Sequence, residues 1–379
     1  MHKTQEKEAK LKVLLLESSP NWGGQEERLL REASWLREHR HNVALACNGN
    51  SAIAARATAA GIRSETISMR SAADLRGLIS LSRLVVTGRP DIIHAHSPKD
   101  AWLCFWFHSF GVPVTRSRHT TFPRHMPARR GFIYRHGCRR LIASAGFIAQ
   151  AMHDSLGVAK DRIDVIGECV NTSEFCPGDG VEFRKEFGID KSAPLFGVVA
   201  MLRGEKGHDV FLRAAKIAAQ QRPDARFVIV GDAASRGRVK QEIQKTLGTE
   251  FYGFPTPPVM MTGFRRDIPE VMRALDFLVV PSRREAQTLV IPQAFATGKP
   301  VIASKVGGIP ELVEHGANGL LFESEDHDSL AAAMLELAAD PHRAARMGRA
   351  GRKLAEEELA IDRKMELLLA SYRKCVAAR

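Results

Sequence analysis

The stretch Lys12-Val-Leu-Leu-Leu-Glu-Ser-Ser-Pro-Asn-Trp-Gly-Gly-Gln-Glu26 sets the pattern for the whole chain. Its apolar run from Lys12 to Glu17 has the length of one buried strand. A turn rich in Ser, Pro and Gly follows. From Gln25 to Arg37, Leu29, Leu30, Ala33 and Leu36 recur at i, i+1, i+4 and i+7, which places them on one face of a helix. A strand joined by a tight glycine turn to a helix is the first half of a parallel crossover unit.

The unit repeats along the chain. Val43–Cys47, Asp91–Ala95, Val112–Thr115, Leu141–Ser144 and Ile163–Ile166 are further strand candidates. Their runs are continuous rather than alternating, as expected for a parallel sheet covered on both faces. The pattern restarts at Leu195–Ala200, with a helix from Asp209 to Gln221 and strands at Arg226–Val230, Phe277–Val280, Pro300–Ala303 and Gly319–Phe322. Between the halves, Val170–Pro194 carries Pro177, Gly178, Gly180, Gly188 and Pro194, the composition of a hinge. The last segment, Pro341–Ala378, reads as one or two basic amphipathic helices. The expected architecture is α/β: two doubly wound domains whose parallel sheets face a central cleft. We expect boundaries at 1–176 and 177–355, with residues 356–379 forming a helix that packs back on the first domain.

Composition narrows the class. Among 379 residues, 44% are hydrophobic and 26% charged, the balance of a globular protein and not of a disordered or collagen-like chain. No apolar stretch approaches the ~18 residues of a membrane-spanning helix; the densest, Ala101–Phe107, stops at His108. Met1–Lys12 is polar, which argues against a signal peptide. Six cysteines without a C-x-x-C pair read as reduced thiols of a cytoplasmic protein, and the histidines form no H-E-x-x-H pattern, so neither metal nor cofactor is expected.

Charge is unevenly placed. The net charge is +12, and Arg116–Arg140 holds eight arginines and three histidines with no Asp or Glu. This is either a solvated basic face or a surface that attracts phosphates or acidic lipid headgroups. Nucleic acid fits poorly, because no recognition motif and no aromatic stacking platform is present.

Ligands of open parallel sheets bind beyond the C-terminal strand ends, so the loops after the strands carry the chemistry. Asn21–Glu26 lets backbone N–H groups of Gly23 and Gly24 approach an anion, although it is not the G-x-G-x-x-G dinucleotide pattern. Arg203-Gly-Glu-Lys-Gly207 offers two cations for a diphosphate. In Pro281–Ser304, Glu285 can accept hydrogen bonds from hydroxyls, and the amides of Gln287, Thr288 and Leu289 can face phosphate oxygens. Gln293, eight residues on, lies just over two turns away if one helix joins the two. Gly307-Gly-Ile-Pro-Glu311 and His119 each follow a strand, and Gly263-Phe-Arg-Arg-Asp267 lies just before a helix expected over Pro269–Leu275.

In their order and spacing these elements resemble the family 4 glycosyltransferases of the GT-B fold. The match runs from Leu14 to about Leu354 and includes Asp91-Ile-Ile-His-Ala-His96, Val165–Asn171 with Phe175, and Gly316-Ala-Asn-Gly-Leu320. The resemblance implies two Rossmann-like domains, acceptor-binding first and nucleotide-sugar-binding second. It implies a retaining, metal-independent transfer from a nucleotide-diphosphate-sugar donor. Gly24 matches the glycine near the donor phosphate, His119 the histidine near the transferred sugar, Lys206 the diphosphate lysine, and Glu285 the first carboxylate of E-x7-E. Arg265 and Asp267 fall where the base is approached, and Arg203, Gln287, Thr288, Leu289 and Gln293 complete the donor set. The resemblance makes His119 and Glu285 the catalytic pair. Glu26, Arg116, Arg118, Arg124, Arg129 and Arg130 are assigned to an anionic or lipid-linked glycan acceptor, of lipopolysaccharide or other cell-surface type, or to the inner face of the plasma membrane.

Two positions depart from the family pattern. Gln293 stands where the second Glu is usual, and Met201 where an arginine is usual. They motivate one alternative, a catalytically weak sugar-nucleotide-binding protein; a sugar-nucleotide epimerase of the same fold is a further, less favoured alternative.

Overall fold

A computed structural model describes residues 9–71, 74–122, 128–232, 238–252 and 258–378. The chain divides into two compact units, residues 1–167 with 364–379, and residues 168–363.

Among the described residues, the first unit holds seven strands: β1 (Lys12–Glu17), β2 (Asn42–Cys47), β3 (Arg63–Thr66), β4 (Ile92–Ala95), β5 (Val114–Arg118), β6 (Arg140–Ala143) and β7 (Ile163–Val165). Between them run α1 (Gly24–Glu38), α2 (Ala52–Ala59), α3 (Leu75–Gly88), α4 (Pro98–Ser109), α5 (Ala128–His136) and α6 (Gly146–Leu156). The sheet is parallel in the order β3-β2-β1-β4-β5-β6-β7. Leu14, Leu15 and Leu16 are 4% exposed or less. Each side chain buried to that degree stabilises the sheet by about 1.5–3 kcal/mol.

The second unit contains α7 (Val181–Glu186), β8 (Leu195–Val199), α8 (His208–Gln221), β9 (Arg226–Val230), α9 (Arg238–Glu250), β10 (Val259–Gly263), α10 (Ile268–Ala274) and β11 (Phe277–Val280). It continues with α11 (Val290–Ala296), β12 (Val301–Ser304), β13 (Gly319–Phe322), α12 (His327–Ala339) and α13 (Pro341–Glu357). Its parallel sheet runs β10-β9-β8-β11-β12-β13. The rings of Phe196, Phe227 and Phe277 stack across three adjacent strands, with Phe196 4.5 Å from Phe277 and 5.5 Å from Phe227. The last helix, α14 (Ile361–Ala377), belongs to the first unit from Lys364 onward. There Tyr372 and Cys375 are buried and Ser371 bonds Asp164 of β7.

Two α/β units, each with a parallel sheet, are therefore present as expected, and three details differ. The units divide after Gly167 rather than after Cys176, because Val170 is bridged to Ala360 and Phe175 packs in the core of the second unit. The returning segment begins at Lys364 rather than at residue 356. Two strands escape a search for apolar runs, β3 and β10, and both are sheet edges. Arg-Ser-Glu-Thr in β3 is partly exposed along its length; an edge strand covered on fewer sides needs no continuous apolar run.

Candidate active site

In each sheet the strand order reverses once, at β1/β4 and at β8/β11. Loops diverging at such a switch point leave an opening at the strand ends, the usual ligand position in open α/β sheets.

In the second unit, the loop after β8 makes a 3-10 turn at Gly204–Lys206 and ends at Gly207, whose φ is +67°. A Cβ on Gly207 would lie 1.9 Å from the Pro281 carbonyl oxygen, so the loops after β8 and β11 meet with no room for a side chain. Arg283 ties them together. Its backbone N–H donates to Glu205 O at 2.8 Å, and its guanidinium donates to both Asp209 oxygens at 2.9 and 2.7 Å, to Gly204 O at 2.7 Å and to Glu325 at 2.9 Å. Arg283 holds its proton more firmly for the Asp209 contact, and Asp209, although burial opposes it, is held below the usual carboxylate range by the Arg283 bonds.

This clamp brings Lys206 and Glu285 together. Lys206 Nζ donates to Glu285 Oε2 at 2.5 Å, and the two side chains are 22% and 10% exposed. Ser282 Oγ approaches the same carboxylate oxygen at 3.4 Å. The loop after β12 joins in, with Gly308 N–H donating to Ala286 O at 3.0 Å. A half-buried ammonium and a carboxylate side by side at a switch point can bind a substrate carrying phosphate at one end and hydroxyls at the other.

Other members of the expected donor set are placed differently. α11 begins only at Val290, so Glu285 and Gln293 are not joined by two turns of one helix. Gln293 is 4% exposed, in a helix turn with buried Ile291, Ala294 and Phe295. Gln287 Oε1 accepts from Glu168 N–H at 2.8 Å, while Thr288 and Leu289 are partly exposed in the turn before α11. Arg265 gives bidentate bonds to Glu186 at 2.7 and 2.9 Å and to Asp267 at 2.9 and 2.6 Å, and lies over the rings of Phe183 and Phe187. Most of the Arg265 donors are thus engaged within the protein, contrary to a free base-binding role. Arg203 makes a loose pair with Glu205 at 3.8 Å. It also lines a cavity of about 310 Å³ with Gly204, His208, Asp209 and Arg283, which does not reach Lys206 or Glu285.

In the first unit, Gly24 opens α1 behind Gly23, with no side chain capping the helix. The turn is held by Glu17 at the end of β1. Glu17 accepts from Ser97 Oγ at 2.5 Å, Gln25 Nε2 at 2.6 Å and Ser19 N–H at 2.8 Å. Burial pushes the Glu17 carboxyl up, and those bonds oppose the rise in part. Asp100, pushed well up by burial and then by Glu17, accepts from Ser97 N–H at 2.8 Å and His96 N–H at 3.2 Å. Glu26 is buried in the first turn of α1. Sequence reasoning passes over Glu17 and Asp100. Ser97-Pro-Lys-Asp100 is a capping-box spacing that could have drawn attention to Asp100.

His119 does not stand alone. Its Nε2 lies 3.2 Å from His96 Nδ1, and the two rings stack at 5.4 Å between centroids. His94, 3.9 Å from His96 between ring centroids, bonds Tyr372 at 2.7 Å and Ser117 at 2.8 Å. Burial keeps all three imidazoles neutral, His96 down to about 3. Glu32, His94 and His96 bring ligating atoms within 4.8 Å of one another. Both His94 ring nitrogens are already engaged, so a cation there would have to displace one of its bonds. The His119 Nδ1 atom has no hydrogen-bond partner among the described residues.

The basic segment is less of a surface than its sequence suggests. Arg116 is 4% exposed, with its guanidinium 4.0 Å from the Tyr134 ring centroid. Arg118 turns back to donate to Thr120 O and Thr121 O at 2.7 Å each. Arg116 is thus buried, and Arg118 is partly exposed. Arg124 lies outside the described residues, and Arg129 and Arg130 are described only as part of the α5 backbone.

Comparison with known proteins fits this geometry. The family model described as "Glycosyl transferases group 1" matches residues 181–354, and the one described as "Glycosyltransferase Family 4" matches residues 22–174. The chain belongs to this glycosyltransferase family. A D-inositol 3-phosphate glycosyltransferase of Segniliparus rotundus is 31% identical over 240 residues, 62% of this chain and 52% of the relative. The chain thus spans about half the length of that relative. In fold, it is similar to Anabaena Alr3699/HepE in complex with UDP, with a TM-score of 0.85 at 22% identity over 96% of this chain and 100% of that one. It is also similar to a glycosyltransferase from Rickettsia africae, with a TM-score of 0.88 at 18% identity over 98% and 100% of the two chains. Both establish the GT-B fold.

Proposed function

We propose that the protein is a retaining, metal-independent glycosyltransferase that moves a sugar from a nucleotide-diphosphate-sugar donor to an anionic or lipid-linked glycan acceptor. The observation that carries this reading is the Lys206–Glu285 pair at the β8/β11 switch point. In the donor complex, Lys206 exchanges its bond to Glu285 for the diphosphate, and Glu285 accepts from hydroxyls of the sugar. As the glycosidic bond breaks, negative charge grows on the leaving diphosphate. An ammonium already positioned there lowers the barrier without reorganisation. The acceptor hydroxyl attacks on the face the diphosphate leaves, and a diphosphate oxygen takes its proton. His119 is assigned to the sugar through the family resemblance, and its neutral ring, whose Nδ1 has no partner among the described residues, suits a hydrogen bond to a sugar hydroxyl.

For the acceptor, the acid-free basic segment and the inositol phosphate in the relative's name both favour an anionic group. A lipid-linked acceptor would place the protein at the inner face of the plasma membrane. Among the described residues, no helix is long and apolar enough to cross a membrane.

Calorimetry with UDP, GDP, ADP and CMP, then with their sugar conjugates, tests the reading. Selective binding of one diphosphate is expected. Lys206→Met should weaken the diphosphate itself, and Glu285→Ala should weaken the sugar conjugate more than the diphosphate. Equal loss for both ligands in Glu285→Ala, or no binding of any nucleotide, would overturn it.

A further inference from the structure

Helix α4 carries a face that the transfer reaction does not use. Trp102, Phe105 and Trp106 follow at i, i+3 and i+4, so they share one side of the helix, and Phe110, the residue that caps its C-terminal end, continues the same spacing at i+8. Ala101, Leu103, Cys104 and Phe107 on the other side are buried. Phe132 of α5 extends the aromatic side. The Phe105 ring lies 6.4 Å from Trp102, 5.6 Å from Trp106 and 5.8 Å from Phe132. Trp106 is 49% exposed, Phe132 42% and Phe110 84%. Single exposed apolar residues are ordinary, but contiguous aromatic rings on two neighbouring helices mark a contact surface.

The charge around these rings selects the partner. From Ala101 to His153 the sequence contains no Asp or Glu, against eight arginines. Arg135 donates to Leu156 O, and Arg139 to Gly111 O and Cys375 O. Bonds to carbonyl oxygens leave a guanidinium charge uncancelled. Lys99, at the start of α4, is exposed. A second copy of this chain, docked through the same face, would set two acid-free basic surfaces against each other. A small soluble anion would have no use for a row of aromatic rings. Aromatic rings beside cations, with no anions among them, match the headgroup region of an anionic bilayer.

We propose that the aromatic face of α4 and α5 docks this protein on an anionic lipid surface, with the rings at headgroup depth and the basic residues near the lipid phosphates. The inference deepens the acceptor half of the proposed function and rests on it only for its purpose, not for the binding itself.

The test is cosedimentation of the full chain with vesicles of phosphatidylglycerol and phosphatidylcholine in equal amounts, against phosphatidylcholine alone, without nucleotide or acceptor. Binding to the anionic vesicles is expected, weakened by high salt and accompanied by a blue shift of tryptophan emission. Trp106→Ser with Phe110→Ser should lower partition by about tenfold or more, since most of the area of two rings no longer leaves water. Both positions are exposed, so unchanged far-UV circular dichroism and unchanged UDP binding serve as controls. No binding at low salt, or undiminished binding of the double variant, would overturn the proposal. So would a dimer in sedimentation velocity that the double variant abolishes, which would assign the face to a second copy. Vesicle binding that fails while UDP still binds removes this inference alone. UDP binding that fails while vesicles still bind removes the transferase reading alone.

Discussion

Replacing Gly207 by alanine should break the second unit's site without touching a single polar group. The added Cβ would stand 1.9 Å from the Pro281 carbonyl oxygen, where contacts below 3.0 Å are essentially never found, and at φ +67° the backbone itself disfavours alanine. The left-handed conformation costs about 1–2 kcal/mol for a residue with a Cβ. Relieving the overlap needs a backbone shift of more than 1 Å between the loops after β8 and β11, which by analogy with overpacked cores costs about 1–3 kcal/mol more. The expected loss for the second unit is therefore about 2–5 kcal/mol, or a fall of roughly 5 °C or more in its melting temperature. The same shift separates Lys206 from Glu285, so UDP affinity should fall about tenfold or more, a loss of ~1.4 kcal/mol. Gly204, three residues earlier in the same loop, is the control: among the described residues, a Cβ there meets nothing within 4 Å. Gly204→Ala should leave both quantities nearly unchanged. Scanning calorimetry and UDP titration of the two variants decide the matter. If Gly207→Ala melts and binds like the native chain, or if the two variants behave alike, the account of the loop contact is wrong.

Three further outcomes follow from the geometry. Arg283→Lys keeps the charge but loses the fork that reaches Asp209 and Gly204 O together. Urea unfolding of the second unit should show a loss of about 1–3 kcal/mol, and a neutral result would refute the clamp. Arg265→Ala should destabilise the second unit by about 1–2 kcal/mol, yet change UDP affinity less than twofold, whereas a large affinity loss would restore Arg265 to the binding site. Burial holds His94, His96 and His119 below the ordinary value of 6.5. The unfolded chain therefore takes up more protons as pH falls below 6.5, and each such histidine removes about 1.4 kcal/mol of stability per pH unit until its folded-state value is reached, about 3 for His96. Glu17 and Asp100 act with the opposite sign, because burial raises them and the folded chain binds their protons first. His96→Asn should flatten the stability profile of the first unit between pH 6.5 and 5 by about one proton's worth; an unchanged slope would show that His96 is protonated in the fold.

Much of this was legible in the residue order. Continuous apolar runs such as Val13–Leu16 in β1 and Phe277–Val280 in β11 are long enough, and buried enough on both faces, to declare parallel strands by composition alone. The glycine turns and the polar residues after them identified Lys206 and Glu285 as residues of strand-to-helix loops. The edge strands β3 and β10 were not legible, because a sheet edge tolerates polar and partly exposed residues.

What the sequence could not decide was which partner each polar group takes. Arg116, Arg203 and Arg265 have the same side chain and the same formal charge. Tertiary packing places one under a tyrosine ring, leaves one loosely paired, and locks one between two carboxylates. Lys206 and Glu285 are 79 positions apart and meet only because β8 and β11 are neighbours in the sheet. Periodicity is a local property that the chain carries with it, so it determined the strands, the helices and the two-unit layout. The pairing of a charge depends on which distant segment folds against it, and only the tertiary structure decided that.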